Sequence, residues 1–149
     1  MNELKFYTDG ACSGNPGKGS FGVIGLKNNL EFLKFSQYEE YTTSNRMEMK
    51  AVIWVLKNYY KKKIYIFSDS QYVVNGLKVW SKSWRLNNWK TTKGSLMNLE
   101  LWKEMLEYFD ENYVNIEWVK GHDTNIYNIK VDKLVRNTIL LQTGTENEL

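Results

Sequence analysis

Residues 4–35 read LKFYTDGACSGNPGKGSFGVIGLKNNLEFLKF, and this stretch decides the fold class. Its first residues alternate between apolar and polar side chains, which predicts a strand that ends at Gly10. A glycine-rich segment follows and predicts a loop. Residues 21–26 and 31–35 predict two more strands, joined by a tight turn at Asn28-Asn29. Three successive strands with short connections are typical of an antiparallel meander.

Helices and strands alternate in the rest of the chain. The predicted elements, in order, are a helix over about 45–60, a strand at 64–68, a helix over about 70–84 that Gly76 interrupts or weakens, a helix containing 102–109, a strand at 114–119 and a helix containing 131–139. This order predicts an α/β fold: a mixed five-stranded sheet, with the antiparallel meander plus two parallel strands, and helices packed on it. The domain is expected to span 1–141, and the polar tail 142–149 to be disordered.

The composition is that of one globular domain of 149 residues. One cysteine and one histidine argue against a disulfide and against a structural zinc site, because zinc usually needs several such ligands. The sequence shows no signal peptide and no apolar run of the roughly 20 residues that span a bilayer. These observations predict a cytoplasmic protein that does not enter a membrane.

The net charge of +3 is small, but the cations are unevenly distributed. No acidic residue lies between Asp69 and Glu100, and the cations inside that window are Lys78, Lys82, Arg85, Lys90 and Lys93. We call residues 70–99 the basic segment. A local basic stretch in a nearly neutral protein indicates an anionic partner that binds at one place.

Four carboxylates are candidates for a catalytic site. Asp9 and Asp69 each follow a predicted strand, and parallel neighbouring strands place both at one edge of the sheet, although both residues also suit turns. Glu48 shares a helical stripe with apolar residues and so faces the sheet, but it also fits a capping box with Asn45. Asp132 likewise fits a charge at a helix N-terminus. Each carboxylate therefore has a structural as well as a functional interpretation.

Several carboxylates at one edge repel each other unless cations bind between them. Oxygen ligands without a cysteine or histidine cluster favour Mg²⁺ or Mn²⁺. Two such ions, about 3.5–4 Å apart, activate water and stabilise the leaving oxygen in phosphodiester hydrolysis. The pattern therefore predicts metal-dependent chemistry on a phosphodiester.

Four segments of the chain resemble, in order, the motifs of the type 1 ribonuclease H family. They are TDGACSGNPG at 8–17, TTSNRME at 42–48, SDSQYV at 68–73, and WVKGH at 118–122 with the later Asp132. The resemblance extends over residues 4–140 and is specific, because the segments keep the family's order and spacing. It implies a ribonuclease H-like fold and an endonuclease that hydrolyses the RNA strand of RNA–DNA hybrids, leaving 5′-phosphate and 3′-hydroxyl ends.

The resemblance also implies roles for individual residues. The catalytic carboxylates, which bind two Mg²⁺ ions with Mn²⁺ as a substitute, correspond to Asp9, Glu48, Asp69 and Asp132. His122 corresponds to a catalytic histidine that assists water positioning or product release. The chain departs from the family at Ile129, where an acidic residue usually stands. A monomer is expected, and the alternatives are an inactive hybrid-binding module or a different nuclease or integrase on the same fold.

Contacts with the hybrid are expected at three places. The basic segment resembles the protrusion with which some bacterial members grip the hybrid, and its expected contacts are Trp80, Lys82, Trp84, Arg85, Trp89 and Lys90. The alternative is that the tryptophans only pack this segment while the cations are solvated. Free amides at a helix N-terminus bind anions, and the resemblance implies that Thr43 with its neighbours Asn45 and Arg46 holds a DNA phosphate. Contact with the 2′-hydroxyl distinguishes RNA, and the resemblance implies that its neighbours are Cys12, Gly14, Asn15, Asn45 and Gln71.

Overall fold

The computed structural model describes residues 3–91, 94–120 and 125–148. Its strands are β1 (Leu4–Ser13), β2 (Gly17–Lys27), β3 (Leu30–Thr42), β4 (Ile64–Ser68), β5 (Lys90–Thr91), β6 (Gly94–Ser95), β7 (Val114–Trp118) and β8 (Thr145–Glu148). Its helices are α1 (Ser44–Asn58), α2 (Gln71–Asn75), α3 (Ser81–Leu86), α4 (Leu99–Tyr108) and α5 (Ile126–Leu141), with a π-helical turn at Gly76–Trp80. None of the described helices is both long and apolar enough to cross a membrane.

One mixed sheet organises the molecule, with its strands in the order β7-β4-β1-β2-β3-β8. β1, β2 and β3 are antiparallel, whereas β4 is parallel to β1 and β7 is parallel to β4. This arrangement confirms the mixed α/β sheet. The glycine-rich segment is mostly not a loop, because β1 and β2 stay paired as far as Ser13 and Lys18. Although glycines favour a loop here, hydrogen bonding between β1 and β2 keeps most of the segment in strands.

The sheet has six strands instead of the five expected, because β8 pairs antiparallel with β3. β8 lies within the polar tail that we expected to be disordered, so that expectation is wrong for residues 145–148. The amide of Thr145 donates to Ser36 Oγ at 3.0 Å, and Ser36 Oγ lies 2.6 Å from Thr138 Oγ1 of α5. The order of the tail therefore comes from a distant strand edge, which local polarity does not reveal.

The helices pack on both faces of the sheet. Phe6 belongs to the larger core with α1 and α4, whereas its neighbour Tyr7 belongs to a second core with Val131 of α5. Alternate side chains of β1 thus enter different cores, as the two-residue period of a strand requires. The middle of β1, from Phe6 to Asp9, is therefore buried on both faces, and the carboxylate of Asp9 lies deep in the molecule.

The helix of the basic segment changes at Gly76, in agreement with the prediction that it is interrupted or weakened there, because the α-helical pattern of α2 ends at Asn75. The backbone stays in the right-handed helical region at Asn75 and Gly76, and only the hydrogen-bond pattern changes to a π-helical turn. A Cβ built on Gly76 would lie 2.0 Å from Cη2 of the buried Trp102 ring. The glycine therefore provides space for this ring, which packs against the helix.

The hydroxyl of Ser36 joins β3, β8 and α5, so we expect Ser36→Ala to destabilise the fold. The substitution leaves the Thr145 amide and the Thr138 hydroxyl with one partner fewer, and we expect the free energy of unfolding to fall by about 1–2 kcal/mol. Urea unfolding measures this loss. Gln37→Ala, at the exposed neighbouring position, is the control, and equal losses in both variants would contradict the assignment.

Candidate active site

Two aspartates lie side by side at one edge of the sheet. Residues Thr8 of β1 and Ser68 of β4 are paired in the parallel register, so Asp9 and Asp69 each follow one residue later. Together with Glu48 they form a cluster in which one carboxylate oxygen of each lies within 4.8 Å of the others. The juxtaposition predicted from the strand ends is therefore present.

Glu48 reaches this cluster because α1 begins in direct contact with β1. A Cβ built on Gly10 would lie only 2.3 Å from the backbone nitrogen of Glu48, so only glycine allows this approach. The Gly10 amide donates to Glu48 Oε1 and also to Asp9 Oδ1. The other oxygen, Glu48 Oε2, is buried without a hydrogen-bond partner among the residues that the structure describes.

The capping-box interpretation of Glu48 does not hold. The N-cap of α1 is Thr43, whose hydroxyl accepts from the amide of Arg46 at 3.3 Å. The Glu48 side chain instead accepts from Gly10, which is distant in sequence. The helix end thus has its own cap, and the carboxylate of Glu48 faces the two aspartates.

Burial makes the ionised forms of these carboxylates unfavourable. Burial first, and then the charges of Asp69 and Asp132, raise the pKa of Asp9 from its ordinary value of 3.8 to about 7. Burial and the proximity of Asp9 raise the pKa of Glu48 well above its ordinary range. Carboxylate oxygens are hard ligands, and Glu48 Oε2 is buried without a hydrogen-bond partner among the described residues. The cluster of Asp9, Glu48 and Asp69 therefore fits Mg²⁺ or Mn²⁺.

Asp132 lies near the cluster but not within it. It lies on α5, and its charge still contributes to the raised pKa of Asp9. Its Oδ2 accepts from Arg136 Nε at 3.0 Å, an ion pair between residues one helical turn apart. Because α5 begins at Ile126, Asp132 is beyond the first turn, and the prediction of a charge at the helix N-terminus is wrong.

The residues expected at the hybrid backbone surround the N-terminus of α1. Asn15 Oδ1, in the turn that carries Gly14 and follows Cys12, accepts from the amide of Ser44 at 2.9 Å. The Arg46 guanidinium is paired with Glu100 of α4 at 2.5 Å. The structure thus brings the turn and this helix end together, with Asn45 exposed between them and Gln71 exposed at the start of α2.

The basic segment contains both packed and exposed side chains. Trp84 packs on the buried Trp102 with ring centroids 4.8 Å apart, whereas Trp80 is 40% exposed. Lys82, Arg85 and Lys90 are exposed, and the ring of Trp89 lies under the ammonium of Lys103 at 5.6 Å. Trp84 therefore has a packing role, whereas the exposed side chains of Lys82, Arg85 and Lys90 are accessible to an anionic partner.

The contacts of three further residues were not predicted from the sequence. The indole of Trp118 donates to the Asp69 carbonyl at 3.1 Å, and the Tyr72 hydroxyl accepts from Trp102 at 3.0 Å. Trp118 and Tyr72 lie within two of the motif segments, but their contacts join residues far apart in sequence and had no local signal. Arg136 pairs with Asp132, and the spacing of four residues on a predicted helix could have indicated this pair. His122 lies outside the described residues.

The raised pKa of Asp9 predicts that the metal-free protein loses stability as the pH rises from about 4 to about 7. In this window the folded protein keeps a proton on Asp9 that the unfolded chain has released, so rising pH favours unfolding. Asp9→Asn removes this dependence. We expect urea unfolding in EDTA to show Asp9→Asn gaining stability over the wild type between pH 5 and pH 8.

The control for this measurement is Glu111→Gln. Glu111 is exposed and lies before β7, at the opposite end of the parallel strands from Asp69. Its stability difference from the wild type should not change with pH in the same window. A pH-independent difference for Asp9→Asn as well would contradict the raised pKa.

Comparison with known proteins identifies the family. A family model described as RNase H matches residues 1–139. Proteins named Ribonuclease H from Thermoanaerobacter sp. (strain X514) and Caldicellulosiruptor saccharolyticus are 44% and 41% identical, covering 96% and 93% of this chain and 94% and 97% of theirs.

Solved structures agree with this result. LC9-RNase H1, described as a type 1 RNase H with the type 2 active-site motif, gives a TM-score of 0.86 at 25% identity, covering all of this chain and 78% of that one. LC11-RNase H1 in complex with RNA/DNA hybrid shares the fold, with a TM-score of 0.66 at 19% identity, covering 94% of this chain and 99% of that one. The chain therefore belongs to the RNase H family, the ribonuclease H enzymes.

Proposed function

We propose that this enzyme hydrolyses the RNA strand of RNA–DNA hybrids with two divalent metal ions, Mg²⁺ or in its place Mn²⁺, and leaves 5′-phosphate and 3′-hydroxyl ends. The observation that supports this most strongly is the cluster of Asp9, Glu48 and Asp69. Three acidic side chains with two members buried are unfavourable in an apolar interior unless cations compensate their charge. We therefore infer that the cluster of these three carboxylates binds cations.

In this proposal each carboxylate has a distinct position. Asp9 binds the metal ions from within β1 and Asp69 from the end of the neighbouring β4, and Glu48 offers Oε2 while Gly10 holds its other oxygen. Asp132 contributes a carboxylate oxygen from α5, at a partly exposed position outside the group of three. When bound, the ions supply positive charge to the phosphate and activate the attacking water.

The substrate is proposed from the surface around the cluster. The α1 N-terminus and the turn at Gly14 and Asn15 are joined by the hydrogen bond from the Ser44 amide to Asn15 Oδ1, and together they form the proposed surface for the strand backbones and for the 2′-hydroxyl. The exposed cations of the basic segment supply contacts with phosphates. LC11-RNase H1, which shares this fold, was solved with an RNA/DNA hybrid.

The role of His122 in water positioning or product release stays a prediction, and so does the effect of Ile129. Ile129 is 46% exposed on α5, one turn before Lys133, and its side chain offers no oxygen for a metal or a water molecule. The intact carboxylates favour an active enzyme over an inactive hybrid-binding module. A cytoplasmic monomer also stays our prediction, and light scattering of the purified protein tests the monomer.

The catalytic prediction concerns Asp9→Asn and Asp69→Asn. Each removes one charged ligand while keeping the shape of the side chain, so we expect turnover in Mg²⁺ to fall by at least about 10²-fold. The measurement is cleavage of a labelled hybrid, with duplex DNA and duplex RNA alongside and with end analysis of the products. The wild type should cut only the RNA strand of the hybrid.

Glu111→Gln serves again as the control and should retain wild-type turnover. Circular dichroism of each variant separates loss of activity from loss of folding. Near wild-type turnover in a folded Asp9→Asn or Asp69→Asn variant would show that the cluster is not the metal site.

The second prediction concerns binding of the hybrid by the basic segment. Replacing Lys82, Arg85 and Lys90 together by Ala removes three exposed cations, so fewer counterions are released on binding. We expect weaker binding and a slope of log affinity against log salt that is smaller by about 2–3. Fluorescence anisotropy in Ca²⁺ or EDTA, without cleavage, measures both quantities.

The matched control replaces Lys61, Lys62 and Lys63 by Ala. These exposed lysines precede β4, at the end of the strand opposite to Asp69, and the net charge changes by the same amount. An equal loss of slope in both triple variants would indicate a general effect of net charge and would exclude the basic segment as a binding surface.

A further inference from the structure

One candidate metal ligand is paired with a cation of the same helix. Asp132 Oδ2 lies 3.0 Å from Arg136 Nε, and the two side chains are 38% and 65% exposed. The three other carboxylates are grouped without Asp132. The pair is therefore partly exposed and lies outside the group of Asp9, Glu48 and Asp69, two of which are buried.

We propose that Arg136 competes with divalent cations for the carboxylate of Asp132 and thereby weakens metal binding in the resting enzyme. This inference rests on the proposed function of Asp132 as a metal ligand. Arg136 is then a positioning residue: it holds Asp132 along the surface of α5, and metal binding requires this ion pair to open.

The geometry indicates that Arg136 competes with a metal ion for Asp132 and does not assist metal binding. A guanidinium that binds Oδ2 occupies one of the two oxygens that Asp132 offers to a metal ion, and it also places a positive charge next to the incoming cation. The pair spans four residues of one helix, so it forms and opens by side-chain rotation without movement of the backbone. Opening and closing thus leave the buried part of the cluster undisturbed.

Neighbouring cations of α5 do not share this role. Lys130 pairs with Glu31 of β3 at 3.5 Å, and its ammonium lies over the ring of Tyr127 at 5.6 Å. Lys133 is exposed and forms no ion pair within the described part of the chain. Arg136 is therefore the cation of this helix that the structure places on Asp132.

The expected size of the effect follows from the exposure of the pair. Ion pairs at partly exposed positions contribute little, and their typical range corresponds to about a 1.5- to 5-fold change in an equilibrium constant. We therefore expect Arg136→Gln to tighten Mg²⁺ binding by about two- to fivefold. The effect should shrink at high salt, because added ions screen an exposed pair.

The experiment measures Mg²⁺ binding to the full chain, without substrate, by isothermal titration calorimetry. Arg136→Gln is compared with Lys133→Gln, which removes the same charge from an exposed position of the same helix. We expect Arg136→Gln to bind Mg²⁺ at least twofold tighter than Lys133→Gln at low salt. Equal or weaker binding in Arg136→Gln would overturn the proposal.

Asp132→Asn separates this inference from the proposed function. Weaker Mg²⁺ binding in Asp132→Asn supports Asp132 as a ligand, and in that background Arg136→Gln should tighten binding no more than Lys133→Gln does. If Asp132→Asn binds Mg²⁺ like the wild type, Asp132 is not a ligand, and both the role of Asp132 and the competition fail. If Asp132→Asn weakens binding but Arg136→Gln alone matches Lys133→Gln, only the competition fails.

Discussion

The close contact between Gly10 and the first turn of α1 is the constraint on which the site depends. A Cβ at residue 10 would overlap the backbone of Glu48, so the contact requires glycine. Through this contact the Gly10 amide donates to Glu48 Oε1. The helix thereby places the carboxylate of Glu48 next to the part of β1 that is buried on both faces. The parallel register of β1 and β4 then adds Asp69 beside Asp9. The three carboxylates lie together because of two backbone features, the close approach of α1 to Gly10 and the parallel register of β1 and β4.

The same convergence is unfavourable for the fold in the absence of cations. Asp9 and Glu48 are only 5% and 7% exposed, and desolvation is the largest cause of their raised pKa values. Cations that bind the folded protein alone shift the folding equilibrium towards it, so metal binding and folding are coupled. Asp132 differs in that its partner Arg136 already compensates its charge at the surface. Burial thus disfavours ionisation of Asp9 and Glu48, whereas Asp132 is partly exposed and has a cation as its partner.

Trp102 connects the basic segment to the body of the enzyme. Its buried ring packs against Gly76 and against Trp84, and its indole donates to the Tyr72 hydroxyl. The helix that carries the exposed cations is therefore held at a defined position over α4. Gln71 and Tyr72 begin this helix directly after Asp69 and its neighbour Ser70, so the proposed binding surface and the carboxylate cluster are adjacent along the chain.

Much of this arrangement was determined by the sequence alone. Periodicity and strand ends predicted the mixed sheet and the meeting of Asp9 with Asp69, because both follow from local pattern and the rules of chain connection. The ion pair of Asp132 with Arg136 has a local signal, a spacing of four residues on one helix, although we did not predict it. Only the tertiary structure decided the sixth strand and the partner of Glu48. Both depend on groups far away in the chain, Ser36 for the tail and Gly10 for the glutamate, which no local pattern brings together.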